Sequence, residues 1–284
     1  MGVDLMSAAL REETLGSLAA LHSPRGALPT LMLHGWMDNA ASFHQLAPQL
    51  AVDGWALDLP GHGHSPWLAE GADYYVWSYL PAVLQALDTL HQQSAKPVLL
   101  IAHSMGTASA LQAAALAPDQ VAAVVLIDGI GPLTTPAASW IQQMQQALAW
   151  QPKPARRFDD PLQALAARQR SSPDLDAEAL EVMVRRNLQA IGEGWQWRTD
   201  PRLKAPSKVR LTDDMVKAAL QTVNCRVLAI RAEHGIVPQP WWQQRLGWLR
   251  DVDSVVLPGH HHLHLEPATS GAVALCIEQF IAGD

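Results

Sequence analysis

The chain has 284 residues, 49% of them apolar, so it can bury one large core, and collagen-like, disordered and miniprotein architectures are excluded. Against 27 Asp and Glu stand 20 Lys and Arg, a formal net charge of −7 with no basic block, which argues against nucleic acid or an anionic membrane as the main partner. Cys225 and Cys276 supply neither a disulfide framework nor a zinc ligand set.

In chain order, Thr14–Leu21 is expected to give one or two antiparallel strands. Short runs rich in Val, Leu and Ile follow at Thr30–Leu33, Gly54–Leu57, Pro97–Ala102, Val121–Ile127, Arg226–Ile230 and Ser254–Leu257. Between them Ala40–Leu50, Tyr75–Gln93, Met105–Leu116, Trp241–Leu249 and Ala268–Ile281 have helical character. This alternation is the signature of an α/β protein, a mostly parallel sheet covered by helices. One interval breaks the rhythm. From Pro132 to Asn224 no strand-like run intervenes, and Ala138–Trp150, Pro161–Gln169, Ala177–Ile191 and Thr212–Thr222 read as helices joined by Pro- and charge-rich turns. A structureless loop of that length is implausible. Residues 132–224 are therefore expected to form a helical lid inserted between two parts of one core, 1–131 and 225–284. No segment approaches the roughly 18 apolar residues of a membrane span. Met1–Arg11 contains Asp4 and lacks a basic start or long apolar run, so the expected compartment is the reducing cytoplasm.

The strongest local signal is Ala102-His103-Ser104-Met105-Gly106, where the strand Pro97–Ala102 gives way to a helix. It is the nucleophile-elbow pattern G-x-S-x-G with Ala in the first position, and a sharp strand-to-helix turn needs such small neighbours. Taken alone, the same five residues also suit a serine that caps a helix. Two further motifs follow buried strands: His34-Gly35-Trp36, and Asp58-Leu-Pro-Gly-His-Gly-His-Ser65. Together the three resemble the α/β-hydrolase superfamily, over nearly the whole chain. His34-Gly-Trp-Met-Asp-Asn-Ala-Ala-Ser-Phe43 and Leu126-Ile-Asp-Gly-Ile-Gly-Pro132 are similar to its serine hydrolase-like branch.

The resemblance implies an α/β-hydrolase fold and an oxyanion hole of two backbone amides, at Trp36 and Met105 here. Preorganised amides facing a developing oxyanion are worth roughly 10²–10³ in rate per donor. A serine hydroxyl also needs a base at neutral pH. Pro258-Gly-His-His-His-Leu-His-Leu-Glu-Pro267 resembles the family's loop after its last strand. Counting back from His264-Leu265-Glu266 puts the base at His261, with His262 next and His260 after it. A metal is the competing reading of this cluster, but only Glu266 stands nearby at ligand spacing, so no metal is expected. No cofactor is expected either, since Gly61-His-Gly63 lacks the spacing and the lysine of a phosphate-binding loop.

The acid departs from the family pattern. Most members carry it after the strand equivalent to Arg226–Ile230, in G-x-x-D-x-x-x-P, whereas this chain reads Arg231-Ala-Glu-His-Gly-Ile-Val-Pro238. Aligned from the proline the slot holds His234; aligned from the strand it holds Gly235; Glu233 is off register. The other location known in the fold is the end of the preceding strand, where Asp128 follows Val121–Ile127. Asp128 is thus the expected orienter of His261, Glu233 the second candidate, and bracing of the lid entrance the competing role for Asp128. His34, His62, His64 and His103 are expected to bond loop backbone, Asp38 and Asp58 to organise loops, and Arg156-Arg157 and Arg185-Arg186 to lie on solvated helix faces.

The function so implied is a serine hydrolase cleaving a carboxylic ester or related acyl bond of a small or medium apolar substrate through an acyl-enzyme on Ser104. Serine at the elbow separates the chain from dehalogenases and epoxide hydrolases of this fold, which use Asp. Thioesterases, carbon–carbon bond hydrolases and perhydrolases share the triad; a ligand-binding protein with a vestigial triad is the alternative from another class. Candidate pocket residues are Trp36 and His103 beside the elbow and Trp140, Trp195 and Trp197 in the lid. The chain has 11 Trp against 3 Phe and 3 Tyr, and Trp36, Trp67, Trp140, Trp150, Trp195 and Trp197 are expected near the cleft between lid and sheet. Monomer and homodimer are both left open.

Overall fold

The computed structural model describes residues 10–283, so most of Met1–Arg11, on which the expected compartment rests, lies outside the described residues. A hairpin of β1 (Arg11–Leu15) and β2 (Leu18–Pro24) leads into β3 (Pro29–Leu33) and β4 (Asp53–Leu57). Then come α1 (Leu80–Ser94), β5 (Val98–His103), α2 (Gly106–Leu116) and β6 (Val121–Ile127). The stretch after β6 carries α3 (Trp140–Ala149), β7 (Arg157–Phe158), α4 (Pro161–Gln169), α5 (Ala177–Arg186), β8 (Leu188–Ile191), β9 (Gly194–Trp197) and α6 (Asp213–Leu220). The chain closes with β10 (Arg226–His234), α7 (Gln239–Leu246), β11 (Val252–His260) and α8 (Pro267–Ala282). No helix among the described residues is long and apolar enough to cross a membrane.

The main sheet has eight strands in the order β1-β2-β4-β3-β5-β6-β10-β11, antiparallel through the first three and parallel from β4 onward. Every residue of β3 and β5 is buried, as expected for central parallel strands covered on both faces. Alternate side chains divide between two cores. Leu99 and Ile101 join residues of α4, α5 and α8, while Val98, Leu100 and Ala102 join residues of α1, α2, α6 and α7. On α1, Val83, Ala86, Leu87 and Leu90 make the buried stripe at helical spacing. Register fixes the working edge. His103 pairs with Ile127 and Ile127 with Ile230, so Ser104 and Asp128 leave the sheet side by side at its carboxyl edge.

Three expectations need correction. Ala40–Leu50 is not a continuous helix but two short 3₁₀ turns, Ala40–Phe43 and Ala47–Gln49; Pro48 removes a donor that a longer helix would need. Tyr75–Tyr79 lies outside α1, which begins one residue before Pro81, the usual place for proline in a first turn. The segment from Pro132 to Asn224 also contains strands, since β7, β9 and β8 form a separate antiparallel sheet. Its hairpin turns on Gly192-Glu193, with Gly192 at φ +59°. Strands of two and four residues leave too little alternation to be read beside long helices.

Arg186 is likewise not on a solvated face. Its side chain is 2% exposed, and its Nε donates to both oxygens of the fully buried Asp58, at 3.1 and 3.0 Å. It also pairs with Glu12. Asp58 in turn accepts the amides of Ala40 and His64, each at 2.7 Å, so one carboxylate ties α5 to two loops of the sheet edge. Arg185, by contrast, is exposed and pairs with Glu181 one turn away. Arg186→Ala leaves Asp58 buried without its cation and should lower unfolding stability by about 3–5 kcal/mol, read by urea denaturation. A loss below 1 kcal/mol would mean that water reaches Asp58.

Candidate active site

The elbow is strained where its pattern requires. Ser104 has φ +50°, and its amide donates to Ile127 O at 3.0 Å. Thr107 Oγ1 donates to Ser104 O at 2.6 Å, fixing the first turn of α2. Gly106 is obligatory, because a Cβ there would stand 2.3 Å from Leu33 O. The serine hydroxyl is thereby raised above the sheet edge at the head of a helix.

Asp128 follows β6 at φ +40°, and its amide donates to Ile230 O at 2.8 Å. The carboxylate is buried and accepts three donors: Ala232 N at 3.1 Å, Ile236 N at 3.3 Å and His261 Nδ1–H at 2.6 Å. Burial alone would raise its pKa; the hydrogen bond and charge of His261, with the Ala232 amide, outweigh it and hold the carboxyl below its ordinary value. With Nδ1 protonated, His261 Nε2 accepts from Ser104 Oγ at 3.0 Å. Gly235, one alignment's acid slot, has no room for a side chain: a Cβ there would lie 2.2 Å from Asp128 Oδ1. Glu233 is exposed, and its side chain makes no hydrogen bond among the described residues. His262 turns to Asp38, with Nε2 3.2 Å from Oδ2, and His260 is exposed with its ring beside His234. A serine hydroxyl, an imidazole and a carboxylate in this sequence can pass a proton from hydroxyl to ring while the carboxylate holds the ring's tautomer.

Met105 directly follows Ser104, and Trp36 lines the same cleft as Ser104. Among the described residues, neither of these two amides donates to a protein acceptor. The cleft has a volume of about 340 Å³, near the lower end of the roughly 300–1,000 Å³ usual for ligand sites. Its walls are mixed. Trp36, Leu175 and Ile236 give apolar surface, while Arg168, Ser171, Ser172 and Asp174 come from α4 and the turn into α5. The expectation of a cleft walled by lid tryptophans is corrected, for Trp36 alone of the 11 lines it among the described residues. Trp195 and Trp197 stand two apart on β9 and share one face, packed on the core with Phe158, whose ring lies 5.2 Å from that of Trp197. Trp140 is exposed on α3 and Trp67 donates to Arg198 O. His103 is fully buried beneath the site rather than on its wall.

The histidines around the edge are mostly loop ties. His34 donates from Nδ1 to Gly35 O and accepts Leu59 N at Nε2; His62 donates to Pro60 O and accepts Met37 N. Both therefore stay neutral in a fixed tautomer, and burial pushes His62 down to about 3. His103 donates from Nε2 to His261 O at 3.0 Å, and burial lowers it to about 4. From the sequence alone Asp38 is expected only to organise its loop. In the fold it accepts Arg168 at 3.1 Å and sits against His103 and His262, a meeting of four segments that no local spacing announces.

A family described as alpha/beta hydrolase fold matches residues 29–176. The chain belongs to this family, on its serine hydrolase-like branch, and is a hydrolase on the α/β fold. It is 29% identical over 274 residues to a probable serine hydrolase of Drosophila melanogaster, covering 89% of this chain and 80% of the fly protein. It is 30% identical over 225 residues to lipase LipV of Mycobacterium tuberculosis, covering 76% and 79% of the two chains. Among solved structures, a hypothetical protein from Pseudomonas aeruginosa PAO1 superposes with a TM-score of 0.84 and 34% identity, covering 97% of this chain and 100% of that one.

Proposed function

We propose that the protein hydrolyses a carboxylic ester or related acyl bond of a small or medium substrate through an acyl-enzyme on Ser104. The observation that carries this reading is the unbroken hydrogen-bond line from Ser104 Oγ through His261 to Asp128, at 3.0 and 2.6 Å. Ser104 Oγ attacks the acyl carbon as His261 Nε2 takes its proton; the Trp36 and Met105 amides receive the oxyanion. His261 then gives the proton to the leaving alcohol. Water, deprotonated by the same ring, attacks the acyl-enzyme and releases the acid. Asp128 acts by position, keeping Nδ1 protonated and Nε2 free to accept. Residues 132–224 serve as a lid on a core formed by 1–131 and 225–284. The mixed walls of the cleft favour a substrate with a polar group facing Arg168 and Ser172 and an apolar one facing Trp36 and Leu175, in place of the wholly apolar substrate that lid tryptophans would suit.

A panel of nitrophenyl esters and thioesters graded by chain length tests this. Wild type should turn over short and medium chains best, and Ser104→Ala should lose about 10⁴-fold or more in kcat. A fluorophosphonate should label wild type and not the variant. Folded wild type that neither labels nor turns over any member would replace the catalytic reading with that of a binding protein.

A further inference from the structure

We infer that Asp38, His103 and His262 form a second site, for one divalent transition-metal ion of the zinc class. Near the histidine loop along the sequence, Glu266 is the sole carboxylate at ligand spacing; the fold brings Asp38 in from the loop after β3. One ligating atom from each of the three residues lies within 4.8 Å of the other two. Asp38 Oδ2 stands 3.6 Å from His103 Nδ1 and 3.2 Å from His262 Nε2. With bonds of about 2.0–2.1 Å, tetrahedral zinc sets its ligand atoms about 3.3 Å apart, so two of the three separations need almost no adjustment.

The stronger observation concerns His103. Its Nε2–H is committed to His261 O, so Nδ1 carries a lone pair, and this atom is buried with no hydrogen-bond partner. It faces the Asp38 carboxylate at 3.6 Å. Two buried lone pairs facing each other repel unless a positive species or a donor stands between them. A metal ion satisfies both atoms. Donation of the other ring N–H to a backbone carbonyl is also the outer contact that zinc-bound imidazoles make. Arg168 occupies Asp38 Oδ1, so Oδ2 is the oxygen that faces the two imidazoles, His262 Nε2 at 3.2 Å and His103 Nδ1 at 3.6 Å. The fourth position opens on the cleft, which Asp38 and His262 both line.

His103 and His262 directly precede Ser104 and follow His261, so a bound dication sets its charge beside the ring proposed to accept the proton. Hydrolysis should therefore fall as the metal binds. That consequence rests on the proposed catalytic reading, whereas binding does not. The test is titration of metal-free protein with Co²⁺, read by its tetrahedral d–d absorption, and with Zn²⁺, read by calorimetry. One ion per chain is expected. His262→Ala, at a loop position whose side chain is 16% exposed, should weaken it about 100-fold, as should Asp38→Asn, while His260→Ala on the exposed neighbour leaves it unchanged. No 1:1 binding, binding unmoved by His262→Ala, or binding lost in His260→Ala would each overturn the site, the last pointing to adventitious capture by the histidine run. Intact binding without ester turnover counts against the catalytic reading alone.

Discussion

Asp128→Asn is expected to lower kcat for ester hydrolysis by about 10⁴-fold with KM little changed. The reason lies in how its oxygens are used. Oδ1 accepts Ala232 N, and Oδ2 accepts both Ile236 N and His261 Nδ1–H. An asparagine has one acceptor and one donor to offer these three donors. Whichever way it turns, a donor meets a donor. If its oxygen keeps the Ala232 amide, its NH₂ faces His261 and forces the ring into the tautomer protonated at Nε2, which cannot accept from Ser104 Oγ. Glu233→Gln, on an exposed side chain, should stay near wild type. A crippled Glu233→Gln beside a near-normal Asp128→Asn would reverse the assignment.

The second large effect is on stability against acid. His34, His62, His103 and His264 are fully buried, and burial lowers the pKa of each, to about 3 for His62 and about 4 for His103. In the unfolded chain each returns to about 6.5. The folded state thus binds these protons more weakly than the unfolded state. Stability is full above about pH 6.5, falls as pH drops below it, and levels off once each folded pKa is passed. At pH 5, His62 and His103 should each cost about 2 kcal/mol, a magnitude set by the unfolded pKa alone because both folded values lie lower. Asp38 and Asp128, whose carboxyl pKa values are depressed by their histidine partners against the opposing effect of burial, act in the same direction at lower pH. Urea midpoints measured from pH 7.5 to 4.5 should fall steadily through this range. A flat profile between pH 7 and 5 would mean that the imidazoles take up protons without unfolding.

Much of the sheet was legible because its strands are short apolar runs ending in loops of fixed chemistry, and the elbow because small residues flank one serine. His261 stood out among three adjacent histidines only through spacing to Glu266, and in the fold it is the ring facing Ser104 Oγ. The misreadings share one cause, contact between segments far apart in sequence. Arg186 looks like a surface charge on α5 until Asp58, from another loop, buries it. Trp195 and Trp197 look like cleft aromatics until β9 pairs with β7 and turns them onto Phe158. Asp38 is one loop acid among several until β5, the loop after β11 and α4 converge on it.

The crowding at Gly235 bears on how this chain could have diverged from relatives that keep their acid one strand later. The space that a side chain at 235 would enter already holds Asp128 Oδ1, at 2.2 Å. In this backbone a side chain at 235 and the carboxylate of Asp128 therefore compete for one space. Relocation needs paired changes, with a small residue arriving at 235 before or together with the carboxylate at 128. In an alignment the two columns should covary, residue 235 being glycine wherever residue 128 is acidic.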